Sequence, residues 1–145
     1  MLTYARAKSQ KELQEIYDHN MSAFFDSDEF EWKMDWIKKQ NKEGWDFYSV
    51  SFEEEIIAAL LIKRKDKTFW SKQTPVKMSF QGNGFSHNIR EYIEELANEE
   101  EVVEVFNICA IDNFRMVALN ESHGYKKTGK KYLNSKTLVE WYKKL

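Results

Sequence analysis

Residues 76–86 read Val-Lys-Met-Ser-Phe-Gln-Gly-Asn-Gly-Phe-Ser and hold the residues whose types and spacing best suggest chemistry. Gly82, Asn83 and Gly84 stand between a strand-like stretch and the start of an amphipathic helix pattern. Glycine lets backbone approach a ligand with no Cβ in the way. The following helix offers first-turn N–H groups without intrahelical partners, and the positive end of its dipole. Such a turn suits an anion, phosphate in particular. A Walker loop needs Gly-Lys-Ser/Thr, whereas Gly84 is followed by Phe85 and Ser86. A dinucleotide fingerprint needs a third glycine in an early βαβ unit, and this turn lies past mid-chain.

Other reactive residue types form no comparable group. Cys109 is the only cysteine, which excludes an intrachain disulfide and fits a small buried hydrophobe. His19, His87 and His123 lack metal-site spacing, so no metal is expected. Carboxylates that could serve as a base are Asp26, Asp28, Glu29 and Glu31, each of a type that also caps helices or faces solvent. The net charge of −2 gives no general attraction to nucleic acid. Glutamates cluster from Glu91 to Glu104 and lysines from Lys126 to Lys144, as on a solvated helix face and a lysine-protected edge hairpin. No apolar run approaches the ~20 residues that span a bilayer, so a soluble cytoplasmic protein without a membrane partner is expected.

The elements that must position the turn can be read from periodicity. The chain has 145 residues, 42% hydrophobic and 15% aromatic, and no Pro/Gly-rich linker, which predicts one domain over 1–145. A short strand over Thr3–Ala7 precedes a helix capped by Ser9, with Glu12 completing a capping-box pattern and Leu13, Ile16, Tyr17, Met21 and Phe24 as its apolar stripe. Ser27 or Asp28 caps a second helix carrying Phe30, Trp32, Met34, Trp36 and Ile37, ended by Gly44. Asp46–Phe52 alternates as a strand, and Ile56–Ile62 is a continuous apolar run suited to a central strand. Strands over Thr68–Met78 and Val102–Ile108, helices over Ile89–Ala97 and Asn113–His123, and a strand pair over Tyr125–Tyr132 and Thr137–Tyr142 complete the chain. The order is β-α-α-β-β-β-α-β-α-β-β, an α/β fold with a mixed central sheet flanked by helices.

At this point the chain resembles the GNAT (N-acetyltransferase) superfamily, whose pyrophosphate loop has the form Gln/Arg-x-x-Gly-x-Gly/Ala. Gln81-Gly82-Asn83-Gly84-Phe85-Ser86 follows it, except that Ser86 replaces the last small residue, and Val76 matches an apolar residue on the strand entering the loop. Asn113 to Tyr125 resembles the family's Asn-x-x-Ala/Met-x-x-Leu-Tyr/Asn-Glu-x-x-Gly-Phe/Tyr segment. The resemblance implies acetyl-CoA as cofactor and splayed strands, Thr68–Met78 and Val102–Cys109, with pantetheine in the gap. It implies backbone contacts from Val76 and Met78 to pantetheine. Amides of Gly82, Asn83, Gly84, Phe85, Ser86 and His87 would hold the pyrophosphate, with Gln81 flanking it. Asn113 and Met116 would face the pantetheine arm.

Where many relatives carry a tyrosine that protonates the departing thiolate, this chain has Asn120. A carboxamide can donate a hydrogen bond but has no proton to give near neutral pH, so Asn120 is expected to stabilise developing charge. Phe24, Phe25, Trp32, Trp36, Trp45 and Trp70 fall where relatives shape the acceptor pocket, which implies a bulky or partly apolar amine. Three readings follow. The first is a transferase moving acetyl from acetyl-CoA to a small-molecule or peptide amine. The second is a non-catalytic acyl-CoA-binding module, and the third is an interaction protein whose aromatic helices make a homodimer.

Overall fold

The computed structural model describes residues 1–24, 32–133 and 136–145. Its elements are β1 (Leu2–Arg6), α1 (Gln10–Ala23), α2 (Met34–Lys42), β2 (Trp45–Phe52), β3 (Glu55–Lys65), β4 (Thr68–Gln73), a 3-10 turn (Met78–Phe80), α3 (Phe85–Glu99), β5 (Glu104–Ala110), α4 (Phe114–Ser122), β6 (Lys126–Leu133) and β7 (Thr137–Lys144). This is the element order that periodicity predicts. The strands make one sheet in the order β1-β2-β3-β4-β5-β7-β6. It is mixed, because β4 and β5 run parallel while β1–β2, β2–β3, β5–β7 and β6–β7 are antiparallel. No described helix is long and apolar enough to cross a membrane. The residues gather into two compact units, Met1–Lys63 with Gln73–Asn88, and Arg64–Lys72 with Ile89–Leu145.

The first unit is built on Leu13, Ile16, Ile37, Phe47, Ala59 and Leu61. Ser9 caps α1 through its hydroxyl on Glu12 N–H, and the Glu12 carboxylate accepts from Lys8 N–H at 2.9 Å, one residue before the cap. α2 begins at Met34 after Lys33, so Trp32 precedes the helix and does not share a helical face with Trp36. Ser27, Asp28 and Phe30 lie outside the described residues. The Trp32 and Trp36 rings still meet at 5.3 Å, and both stand edge-on to buried Phe47. With Trp45 they pack against the core, so packing accounts for these aromatics without a dimer. Ile57 to Ile62 of β3 are all buried, as the continuous apolar run requires.

The strand expected over Thr68–Met78 stops at Gln73. Pro75 has no N–H and cannot extend the ladder. Thr74 N–H donates to Ala59 C=O at 3.0 Å, and the next bond runs from Lys77 N–H to Ile57 C=O at 2.7 Å. Three steps on one side thus match two on the other, the count of a β-bulge. Thr74 Oγ1 accepts from Ala59 N–H at 2.9 Å, which keeps that fully buried edge hydrogen-bonded.

The second unit centres on β5. It pairs with β4 only from Thr68↔Glu104 to Trp70↔Phe106, but with β7 along its whole length. Cys109 is buried, as expected of a lone apolar thiol. Asn113 caps α4, and Gly124 beyond its end takes φ +80°, a backbone state natural to glycine. β6 lies at the sheet edge with Lys126, Lys127, Lys130 and Lys131 exposed, the arrangement expected of a protected edge.

One feature of the first unit escapes the apolar stripe. His19 and Asn20 are buried on α1, three and four residues after Ile16. Burial, aided by the Lys77 charge, pushes the His19 imidazole down to about 4. The unfolded chain takes up that proton near pH 6.5 while the native state refuses it, so stability falls as pH drops from about 6.5 to about 4. Replacing His19 with Leu should flatten that part of the urea stability profile by about 2–3 kcal/mol. An unchanged pH slope would contradict a neutral, buried imidazole.

Candidate functional site

The glycine turn belongs wholly to the first unit. Phe80 before it and Phe85 after it both pack on Phe52 of β2, with ring centroids 5.9 and 5.2 Å away. Both ends of the turn are thereby pinned to one strand. Gln81 Nε2 donates to Val76 C=O at 2.8 Å, and Asn83 Nδ2 donates to Phe80 C=O at 3.1 Å. Gly84 C=O accepts from the N–H groups of His87 and Asn88, each at 3.2 Å, and so starts α3.

Gly82 and Gly84 take φ of +86° and +75°, a region L-residues disfavour. A Cβ built on either would meet nothing within 4 Å, so the turn is bordered by open space on that side. The amides of Phe85 and Ser86 precede those already committed to Gly84. They are first-turn donors of a 15-residue helix with no acidic side chain in its first turn. A backbone-lined concavity of this kind attracts phosphate.

Nine of the expected cofactor residues come together here in one continuous stretch: Val76, Met78, Gln81, Gly82, Asn83, Gly84, Phe85, Ser86 and His87. Three details differ from expectation. The Val76 carbonyl already accepts from Gln81, whose side chain turns back along the chain and not outward. Met78 sits in a 3-10 turn, its carbonyl taken by Gln81 N–H at 3.2 Å and its side chain exposed. The His87 amide is spent on Gly84, which leaves Gly82 to Ser86 as the available run.

Asn113, Met116 and Asn120 lie on or at the start of α4, in the second unit. The Asn113 carboxamide oxygen accepts from Met116 N–H at 3.3 Å, so it serves as the helix cap. Met116 is buried and packs inward. Asn120 is the residue expected to stabilise developing charge. Instead it is 0% exposed, and its Oδ1 accepts from Arg90 at 2.6 Å and from Asn107 Nδ2 at 2.9 Å. Its Nδ2 donates back to Asn107 Oδ1 at 3.0 Å. The reason is charge: Arg90 on α3 is 1% exposed and needs an acceptor. Its guanidinium also lies 4.7 Å over the Tyr125 ring. Burial pushes the Tyr125 phenol up to about 12, opposed by the Arg90 charge.

Arg90 and Asn107 were missed by the sequence reading, although Arg90 falls three and seven residues before Ile93 and Ala97 on the buried face of α3. Of the acceptor-side residues, Phe24 stands edge-on to His19 and Trp70 stacks on Phe106. Phe25, Asp26, Asp28, Glu29 and Glu31 lie outside the described residues.

No family model and no curated protein matches the chain by sequence. Solved structures do match by shape. The ribosomal-protein-S18-alanine N-acetyltransferase from Escherichia coli superposes with a TM-score of 0.81 at 14% identity, over 99% of this chain and 94% of that one. A Bacillus subtilis acetyltransferase in complex with CoA gives 0.73 at 15% identity, over 100% and 99%. A GNAT family acetyltransferase from Elizabethkingia anophelis with acetyl-CoA bound gives 0.73 at 14% identity, over 99% and 98%. At such identities the likeness speaks for the fold alone. The chain has the GNAT acetyltransferase fold.

The buried network makes a prediction about Asn120. Asn120→Ala would remove an acceptor from the buried Arg90 guanidinium and strand the Asn107 amide, so urea unfolding should register a loss of about 3 kcal/mol. An unchanged midpoint would return Asn120 to the role of a donor outside the fold's own bonding.

Proposed function

We propose that the protein is an acetyl-CoA-dependent N-acetyltransferase acting on an amine. The observation that carries this reading is the Gly82–Gly84 turn, with two positive-φ glycines open on one side and leading into the start of α3. It occurs in a chain whose fold is shared by structures holding CoA or acetyl-CoA. The amides of Gly82, Asn83, Gly84, Phe85 and Ser86 bind the pyrophosphate. Backbone groups of Val76 and Met78 receive the pantetheine amides, Gln81 yielding or sharing its acceptors. Asn113 and Met116 of α4 are the further residues that this reading assigns to the cofactor.

The neutral amine attacks the thioester carbonyl, forming a C–N bond as the C–S bond breaks. The amine proton goes to solvent or a carboxylate, and the departing thiolate takes a proton to become CoA thiol. Thiols ionise near pH 8.5, so the leaving group needs little help, and a chain without a tyrosine at position 120 can still turn over. Asn120 holds Arg90 and Asn107 in place and acts as a positioning residue.

Acetyl-CoA and CoA should each raise the thermal midpoint, since a ligand bound by the native state alone stabilises it by mass action. NADH should not do so equally. Gly84→Ala should fold, at about 1–2 kcal/mol for the positive φ, because its Cβ points into open space. The added methyl should still weaken CoA binding about tenfold or more by blocking close approach. Normal CoA affinity in that variant would remove the turn from the site. Acetyl-CoA binding with no turnover on a broad amine panel would leave only a binding module.

A further inference from the structure

β7 presents Leu138, Glu140, Tyr142 and Lys144 on one face and Val139, Trp141 and Lys143 on the other, because side chains alternate along a strand. Lys143 Nζ reaches Glu94 of α3 at 2.6 Å, so the odd-numbered face is the one α3 covers. The register carries the even-numbered face into Phe106 and Ile108 of β5, Trp70 of β4 and Lys126 of β6. On it, the Trp70 and Phe106 rings stack at 4.8 Å, and the Phe106 and Tyr142 rings at 5.8 Å. All three are only half-buried, so ring surface stays open to solvent.

Beside this run stands Glu140, two residues from Tyr142 and 3% exposed. Its Oε1 accepts from the Tyr132 hydroxyl and its Oε2 from the Thr128 hydroxyl, both at 2.8 Å. Among the described residues no ion pair reaches it, and Lys126, opposite Tyr142, makes none with it. A carboxylate taken out of water calls for a cation as well as hydroxyl donors. Aromatic rings next to it favour an organic cation, whose charge and hydrocarbon they both accommodate.

We propose that this face binds the acceptor through a second cationic group that does not react, an ammonium held at Glu140 with its hydrocarbon along Tyr142 and Phe106. This rests on the acetyltransfer reading above. A carboxylate stabilises the ammonium form of any amine it touches, whereas attack on a thioester needs the neutral amine. Glu140 is therefore suited to a charge other than the nucleophile's. The acceptor class is an amine that carries a second group cationic at neutral pH, a diamine being the simplest case.

The test compares hexylamine with hexamethylenediamine, in turnover with acetyl-CoA and in calorimetric binding without it. The diamine should have about tenfold or higher kcat/KM, the worth of one charge-assisted contact. Glu140→Gln should erase that preference by raising the diamine's KM, and should weaken diamine binding. Equal kcat/KM for the two amines, with diamine binding indifferent to Glu140→Gln, overturns the inference and leaves acetyltransfer standing. Diamine binding that depends on Glu140, with neither amine acetylated, upholds this site and removes the acetyltransfer reading. If Glu140→Gln does not fold, Phe106→Leu decides, because the missing ring should lower diamine affinity with the carboxylate in place. Unchanged affinity in Phe106→Leu then overturns the proposal.

Discussion

Pro75 brings no N–H to the edge of β3, and the glycine turn that follows is placed by that missing donor. The ladder that should continue from Thr74 resumes only at Lys77, one residue late. Thr74 keeps the gap from costing a buried bond by lending its hydroxyl to Ala59 N–H. The displaced chain winds into the Met78–Phe80 turn, Gln81 ties back to Val76, and the two glycines reverse direction into α3. Phe80 and Phe85 clamp both ends on Phe52, which fixes the direction of the intervening amides. Preorganised donors of this sort bind an anion without first being ordered by it.

A different constraint governs the second unit. Arg90 carries a charge that burial penalises, and desolvation lowers its pKa. The carboxamide of Asn120 answers it, and Asn107 closes a reciprocal amide pair behind it. A tyrosine at position 120 would bring a ring and one hydroxyl where two donors and one acceptor are already matched. Asparagine at position 120 thus answers the buried charge of Arg90.

The order of elements was legible because period-two and period-3.6 apolar patterns and the Ser9 and Gly124 punctuation are local signals. The turn itself was legible because Gly82 and Gly84, which take positive φ, mark it in the sequence. The end of β4 was misread although Pro75 stood in view, since the apolar character of Val76 and Met78 masked the missing donor. Arg90 and Asn20 were passed over because they are polar residues at buried helical positions, and only their spacing from apolar neighbours marks them. Glu140 was harder still. Its environment is made by β5 and β6 through register, which no single segment encodes. Trp32 and Trp36 were placed on one helix, whereas α2 starts at Met34 and their rings meet through space against Phe47.

The central claim is that backbone amides of one turn hold the cofactor's pyrophosphate. Titrating CoA into nitrogen-15-labelled protein and following each backbone amide tests it directly. The account predicts the largest shifts at Gly82, Asn83, Gly84, Phe85 and Ser86, with His87 moving less because its amide is already bonded to Gly84. Saturation with CoA that leaves those five amides unmoved would contradict it.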